Sequence, residues 1–384
     1  MKIWLAVILC SMALATYCTA QPPTALKVLE MNTQLSIQVT SIKFSPDGKI
    51  LATGMTKMKG RERLGREVRL WDVSTGKLLR VLEGQTNQDL AVVFSPDSEM
   101  LVSLGIALKE NRMVGSQVSV WKISAGQLLR SLDIPEGETV LSVAFSPDGR
   151  TIASGSILEK DGKPQTQVKL WDTQTGKLQR SFSDLYGCPC GVSFSPDGTL
   201  LAAPGWRMNG EEVVGGEVKV WNLANGKVQQ TLTLQKIVAE TVLFSPDGKL
   251  LATKGSGVGA NNIVWDSDVR LWDVQTGTVK RVLTREDRSD RVESIDFSPD
   301  GKVLMGTGIG FDQKATSEIW MWDTETGQLL RTLNAERQFG EGEDLSFVAD
   351  LSPDGKIVAV GMGGGNIQLR SAEDGSLNRS FKQE

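Results

Sequence analysis

A block of about fifty residues returns seven times along this chain, and that recurrence limits the possible folds more than any other feature. Ser-Pro-Asp-Gly, or Ser-Pro-Asp-Ser in one copy, follows Phe44, Phe94, Phe145, Phe194, Phe244, Phe297 and Leu351, at steps of 50, 51, 49, 50, 53 and 54 residues. Trp71, Trp121, Trp171, Trp221, Trp272 and Trp322 keep the same spacing, with Arg370 at the seventh position.

One copy shows what the block encodes. Val140–Phe145 alternates like a strand. In Ser146-Pro147-Asp148-Gly149, Pro presets φ for a turn, Asp bonds back to local backbone, and Gly takes the positive φ that rejoins a strand. Thr151–Ser154 and Val168–Asp172 read as the next two strands. Thr173–Lys177 is a second turn, and Leu178–Phe182 is the fourth strand. A lone four-stranded meander cannot bury both faces, so each copy needs neighbours of its own kind. The fold class expected is all-β: a seven-bladed β-propeller of four-stranded antiparallel blades.

The Trp-Asp pairs at Trp71-Asp72, Trp171-Asp172, Trp272-Asp273 and Trp322-Asp323 carry a family resemblance; Trp121-Lys122 and Trp221-Asn222 are variants. The chain resembles the WD40-repeat β-propeller family over nearly all of residues 25–384. Two departures stand out. The family often places a His before the first strand, hydrogen-bonded toward the Trp, and this chain has no His. Its period also exceeds the usual ~40–45 residues, which implies insertions at a fixed place.

Met1–Ala20 differs from the rest. Lys2 precedes the mostly apolar Ile3–Leu14, and Cys18-Thr19-Ala20 offers small residues for cleavage before Gln21. This is the pattern of a secretory signal peptide, and the apolar run is shorter than the ~20 residues of a spanning helix. The expectation is a signal peptide at 1–20, one propeller domain over 21–384, no membrane span, and a secreted or periplasmic protein. A net charge of −4 gives no global argument for nucleic acid. Ala25–Glu30 and Ser376–Phe381 both read as fourth strands, and only one can complete the last blade; the C-terminal run, local to its own third strand, needs less loop closure.

The extra residues fall between the second and third strands: Met55–Glu67, Ile106–Gln117, Ser156–Gln167, Gly205–Glu217, Gly255–Asp268 and Gly308–Ser317, against only Gly361–Gly365 in the seventh copy. They emerge opposite the Ser-Pro-Asp-Gly turns. Long loops on a rigid scaffold concentrate binding residues; the alternative is hairpins that merely lengthen the blades. The first insert carries Lys57, Lys59, Arg61, Arg63 and Arg66, whereas Glu211, Glu212, Glu217, Asp266, Asp268, Asp312 and Glu318 make the far side acidic. Such a field can orient a partner. Trp206, Trp265 and Phe311 lie in inserts off the repeat pattern, as exposed anchors or as side chains that tuck the inserts down. Shortening Gly205–Glu217 is expected to leave folding intact, and Trp206 to matter less to stability than Trp171.

Catalytic and metal residues are not assigned. Without His, the commonest general base and metal ligand are missing. Cys188-Pro189-Cys190 reads as a structural or incidental pair, with redox or metal use as the alternative. Asp296 and Asp350 occupy near-equivalent first-strand positions and keep a channel calcium site open. The segment after each Trp-Asp also resembles a quinoprotein repeat, but the docking Trp of that motif is replaced by Arg80, Arg130, Arg180, Gln230, Arg281, Arg331 and Arg379. The reading expected is an exported, non-catalytic binding scaffold without cofactor that holds a protein or peptide, or a glycan, on the insert face. The alternative is a calcium-dependent hydrolase with its site at the channel mouth.

Overall fold

The computed structural model describes residues 35–381 apart from breaks at 60–61, 83–88, 110–111, 161–162, 211, 259–262, 284–290, 311–315 and 339–346. These residues form seven four-stranded antiparallel sheets, each a simple meander, spanning 35–82, 89–131, 138–185, 193–235, 237–283, 291–338 and 347–381. The sheets are blades 1 to 7 of a propeller. First strands line the central channel, and the first strand of blade 1, Leu35–Phe44, packs beside that of blade 7, Phe347–Leu351, to close the ring. The fourth strand of blade 7 is Leu377–Phe381, so the C-terminal candidate completes that blade. The other candidate, Ala25–Glu30, lies outside the described residues, as does the Met1–Ala20 segment.

The core is divided. Among the described residues seven apolar clusters each join one blade to the next, and a smaller eighth gathers Cys188, Trp206 and Val238. Each repeat Trp packs against the preceding blade: Trp171 meets Val102, Leu104 and Val120, and Trp221 meets Phe182 at 5.1 Å between ring centroids. Burying so large a side chain supplies much of the attraction between neighbours. Between blades 6 and 7, where Arg370 replaces the Trp, Met305, Met321 and Met362 fill the interface. Methionine suits that gap because its unbranched chain adapts to irregular space.

Hydrogen bonds repeat with the same regularity. In all seven Ser-Pro-Asp turns the Ser hydroxyl donates to the Asp carboxylate and accepts the N–H of the residue five positions on. At Asp148 the bonds from Ser146 and the Arg150 N–H outweigh slight burial and hold the carboxyl below its ordinary value. Gly149 sits at φ +70°; Ser98 takes the same left-handed place in blade 2 at φ 61°, at a cost that Gly avoids. The Asp of each Trp-Asp pair has a separate task. Asp172 accepts both the N–H and the hydroxyl of Thr175, at 2.6 and 2.8 Å, and so builds the second turn.

Without His, part of the indole network survives. The indole N–H of Trp71, Trp121, Trp171 and Trp272 donates to Thr53, Ser103, Ser154 and Thr253, at 2.8–3.0 Å. In blades 4 and 6 the facing residues are Ala203 and Gly306, and the Nε1 atoms of Trp221 and Trp322 are buried without a hydrogen-bond partner. The Arg that stands where a docking Trp was sought ties blade to blade instead. Arg80 donates to the Ser124 carbonyl, Arg180 to the Leu223 carbonyl and Arg281 to the Glu325 carbonyl, at 2.6–2.8 Å.

Candidate functional site

The inserts correct the expectation of long loops. They are arms of antiparallel hairpins that prolong the second and third strands. In blade 1 the pairing runs from Ile50↔Asp72 out to Lys59↔Glu62, and in blade 3 from Thr151↔Asp172 out to Lys160↔Lys163. Backbone pairing extends with the insert because its two halves match in length. Blade 7 has only the short Gly363–Gly365 turn, so its end of the ring stands lower than its neighbours'.

The structure places the sequence-predicted residues unevenly. Lys57 lies 2.9 Å from Glu67, and Arg69 Nε reaches the same carboxylate at 2.5 Å. Burial alone would raise Glu67, but the bonds from Lys57 and Arg69 outweigh it and draw its pKa below the ordinary value. Lys57 is thus committed within its arm, whereas Lys59 is exposed near its end. Arg63 and Arg66 stand on the third strand, opposite Met58 and Thr56. Their side chains, like that of Trp265 on the strand Ile263–Asp273, lie outside the described residues, as do Arg61 and Phe311 altogether.

Trp206 is no exposed anchor. It is 3% exposed, packs with Cys188 and Val238, and its backbone N–H donates to the Tyr186 carbonyl at 2.7 Å. Gly187 lies against the indole so closely that a Cβ there would come within 2.3 Å of the ring. Shortening Gly205–Glu217 would remove this packing, together with the pairing of Gly215, Gly216 and Glu217 to Gln235, Leu234 and Thr233. The expectation that such a cut leaves folding intact is therefore withdrawn. On the acidic side, Glu217 sits 3.8 Å from Lys219, and buried Glu318 accepts the Trp320 indole N–H at 2.9 Å; Glu212 is exposed.

Ion pairs that sequence reasoning missed lie beneath the arms. Glu138 is fully buried, 2.5 Å from Lys169 and 2.5 Å from the Ser156 hydroxyl. In blade 5 Glu240 holds Lys254 and accepts from Ser256 at 2.6 Å. A buried pair of this kind persists because each charge has its partner and further hydrogen bonds.

Asp296 and Asp350 do come together at the channel wall, around the ammonium of Lys43. The amine lies 2.7 Å from Asp296 and bonds to Asp350, which also accepts the Phe44 N–H at 2.7 Å. Burial opposes the charge on Lys43, but both carboxylates outweigh it and raise its pKa. Burial, aided by repulsion from Asp296 and opposed by Lys43, pushes Asp350 up to about 7. A calcium ion would have to displace this ammonium from the same oxygens. Among the described residues no group of three or more Asp, Glu, His or Cys could hold a metal ion. Nor is any helix there long and apolar enough to cross a membrane.

A family model for the WD domain, G-beta repeat, matches residues 27–72 and 126–172. Each match ends on the Trp-Asp pair of a third strand, in blades 1 and 3. No curated protein matches the chain.

Proposed function

The chain belongs to the WD40-repeat β-propeller family, a fold that typically mediates protein interactions, and from that premise we propose that it is an exported, non-catalytic scaffold holding a protein or peptide on the hairpin end of its ring. The observation that carries this reading is the inequality of the two ends. The turn end repeats one self-satisfied motif, its Ser and Asp side chains bonded within each turn. The hairpin end presents arms that differ in sequence and charge on rigid strands, which is where differential recognition can reside.

The contacts assigned to the partner are Lys59, Arg61, Arg63 and Arg66 on the first arm, with Trp265 and Phe311 on the fifth and sixth. An acidic segment fits the first arm, because its carboxylates would meet cations whose long stems also bury apolar area. Export rests on the composition of Met1–Ala20. The test is capture from the extracytoplasmic fraction at low and moderate salt, with the mature protein and a Lys59→Ser, Arg61→Ser, Arg63→Ser variant. A partner held by the wild type and lost by the variant supports the scaffold. Equal capture by both removes the first arm from the interface, and capture by neither removes the scaffold reading.

A further inference from the structure

Blade 4 breaks the repeat at the channel wall. Its first strand is cut to Ser193–Phe194, where blades 3 and 5 have Glu138–Phe145 and Ile237–Phe244. The missing part of the wall, on the hairpin side, is supplied by the irregular segment Tyr186–Val192, in which Cys188 and Cys190 form a disulfide. The segment is anchored without that bond. Ser142 donates to the Pro189 carbonyl at 2.7 Å, Thr166 to the Gly187 carbonyl at 2.6 Å, and the Trp206 N–H to the Tyr186 carbonyl at 2.7 Å. Gly191 lies against blade 5, where a Cβ would come 3.1 Å from the Thr241 Cα.

A bond between residues two apart removes the least entropy from the unfolded chain, because the loop it closes is so short. In an already anchored segment it adds little to the fold. Its chemistry therefore asks for an explanation. The two cysteines differ in exposure. Cys188 is 1% exposed, among Trp206 and Val238, whereas Cys190 is half-buried, with Leu141, Met208, Val213 and Val258 around the same cluster. A thiolate at Cys188 would be a charge among apolar side chains, and closing the disulfide removes it. An accessible attacking sulfur beside a buried resolving one is the division of labour that thiol–disulfide exchange needs.

We propose that Cys188 and Cys190 are a thiol–disulfide exchange site that, in its reduced form, opens disulfide bonds in peptide segments reaching the hairpin end of the channel. The Cys190 thiolate attacks one sulfur of the substrate disulfide. That bond breaks, and its electron pair leaves with the other substrate sulfur, which takes up a proton. Cys188, losing its proton, then attacks the Cys190 sulfur of the mixed disulfide. The remaining substrate sulfur departs as a thiolate and is protonated, and the Cys188–Cys190 bond closes. Protein dithiol and substrate disulfide thus become protein disulfide and substrate dithiol. A small thiol reductant restores the protein by the same exchanges in reverse. None of this depends on which partner the arms hold, so failure to capture a partner leaves it standing.

The test uses the native protein from Gln21 on, which leaves Cys188 and Cys190 as its two cysteines, reduced with dithiothreitol, desalted and mixed with oxidised glutathione while free thiols and masses are followed. The wild type is expected to lose its two thiols and close its own disulfide as reduced glutathione appears. Cys188→Ser should stall as a mixed disulfide on Cys190, and Cys190→Ser should react at least about tenfold more slowly. Equal trapping by the two variants overturns the proposal. So does a wild-type disulfide that dithiothreitol opens only in denaturant, a measurement that decides even where a variant does not fold.

Discussion

The two ends of the ring are built from the same strands and obey different rules. At the turn end, seven Ser-Pro-Asp turns repeat the same bonds, and Pro of one turn lies against the Gly of the next, as Pro147 does against Gly198. At the hairpin end, six arms share only their backbone pairing. Where one pattern satisfies its Ser and Asp side chains locally, side chains hold the ring; where the pattern stops, they are free to differ. Substitutions should therefore unfold the protein from the turn end and the blade walls, and change recognition from the arms.

The largest effect expected is on the walls. Trp171→Ala should cost ~3–5 kcal/mol, read as a fall in Tm, because it removes an indole that is 1% exposed between two blades. Trp206→Ala should also destabilise, since Trp206 is buried, which narrows the gap expected from sequence alone. Thr53→Ala leaves the Trp71 indole N–H without its acceptor, a loss of about 1–3 kcal/mol. Ser245→Ala in the turn of blade 5 removes the acceptor of the Leu250 N–H and should cost about 1–3 kcal/mol by denaturant titration.

Smaller changes sharpen the comparison. Ala203→Ser offers the Trp221 indole the acceptor that four other blades provide, and should stabilise by about 1 kcal/mol. The same change at Gly306 should not help, because a Cβ there would lie 2.6 Å from the Trp322 ring. Asp350 gives a pH signature. Its pKa rises from 3.8 unfolded to about 7 folded, so the folded state holds the extra proton between these values and stability falls as pH rises through them. Asp350→Asn should flatten that slope, with its Tm gaining on the wild type from about pH 4 to about pH 7. The turn Asp residues act below this window, since their lowered pKa values withdraw stability only as pH falls through them. The least effect on Tm belongs to Lys59→Ser on the first arm, within about 0.5 kcal/mol.

The blades were legible because their signals are local. Ser146-Pro147-Asp148-Gly149 builds its turn from four adjacent residues, and Trp171 keeps its place by period alone. The arms were not, since inserts such as Lys57–Glu67 lack the apolar alternation that marks a half-buried strand. Of the two readings open for Trp206, exposed anchor or tucked side chain, the structure shows the tucked one; sequence could not choose, because the packing partner Cys188 stands in the connection before the blade, outside the repeat. Asp296 and Asp350 were paired correctly, but the Lys43 that joins them lies 253 and 307 residues away in sequence and becomes a neighbour only when the ring closes.

The division between framework and recognition is tested most directly by trimming one arm. Residues 58–64 would be replaced by a two-residue turn, which spares the buried Met55, the pairing of Lys57 with Ile37 and Gly65, and the bonds of Glu67 to Lys57 and Arg69. Melting and partner capture would then be measured beside Ser245→Ala. The account expects the trimmed protein to melt with the wild type and lose its partner, and Ser245→Ala to melt lower and keep it. A trimmed protein that unfolds, or one that captures the partner as well as the wild type does, would contradict it.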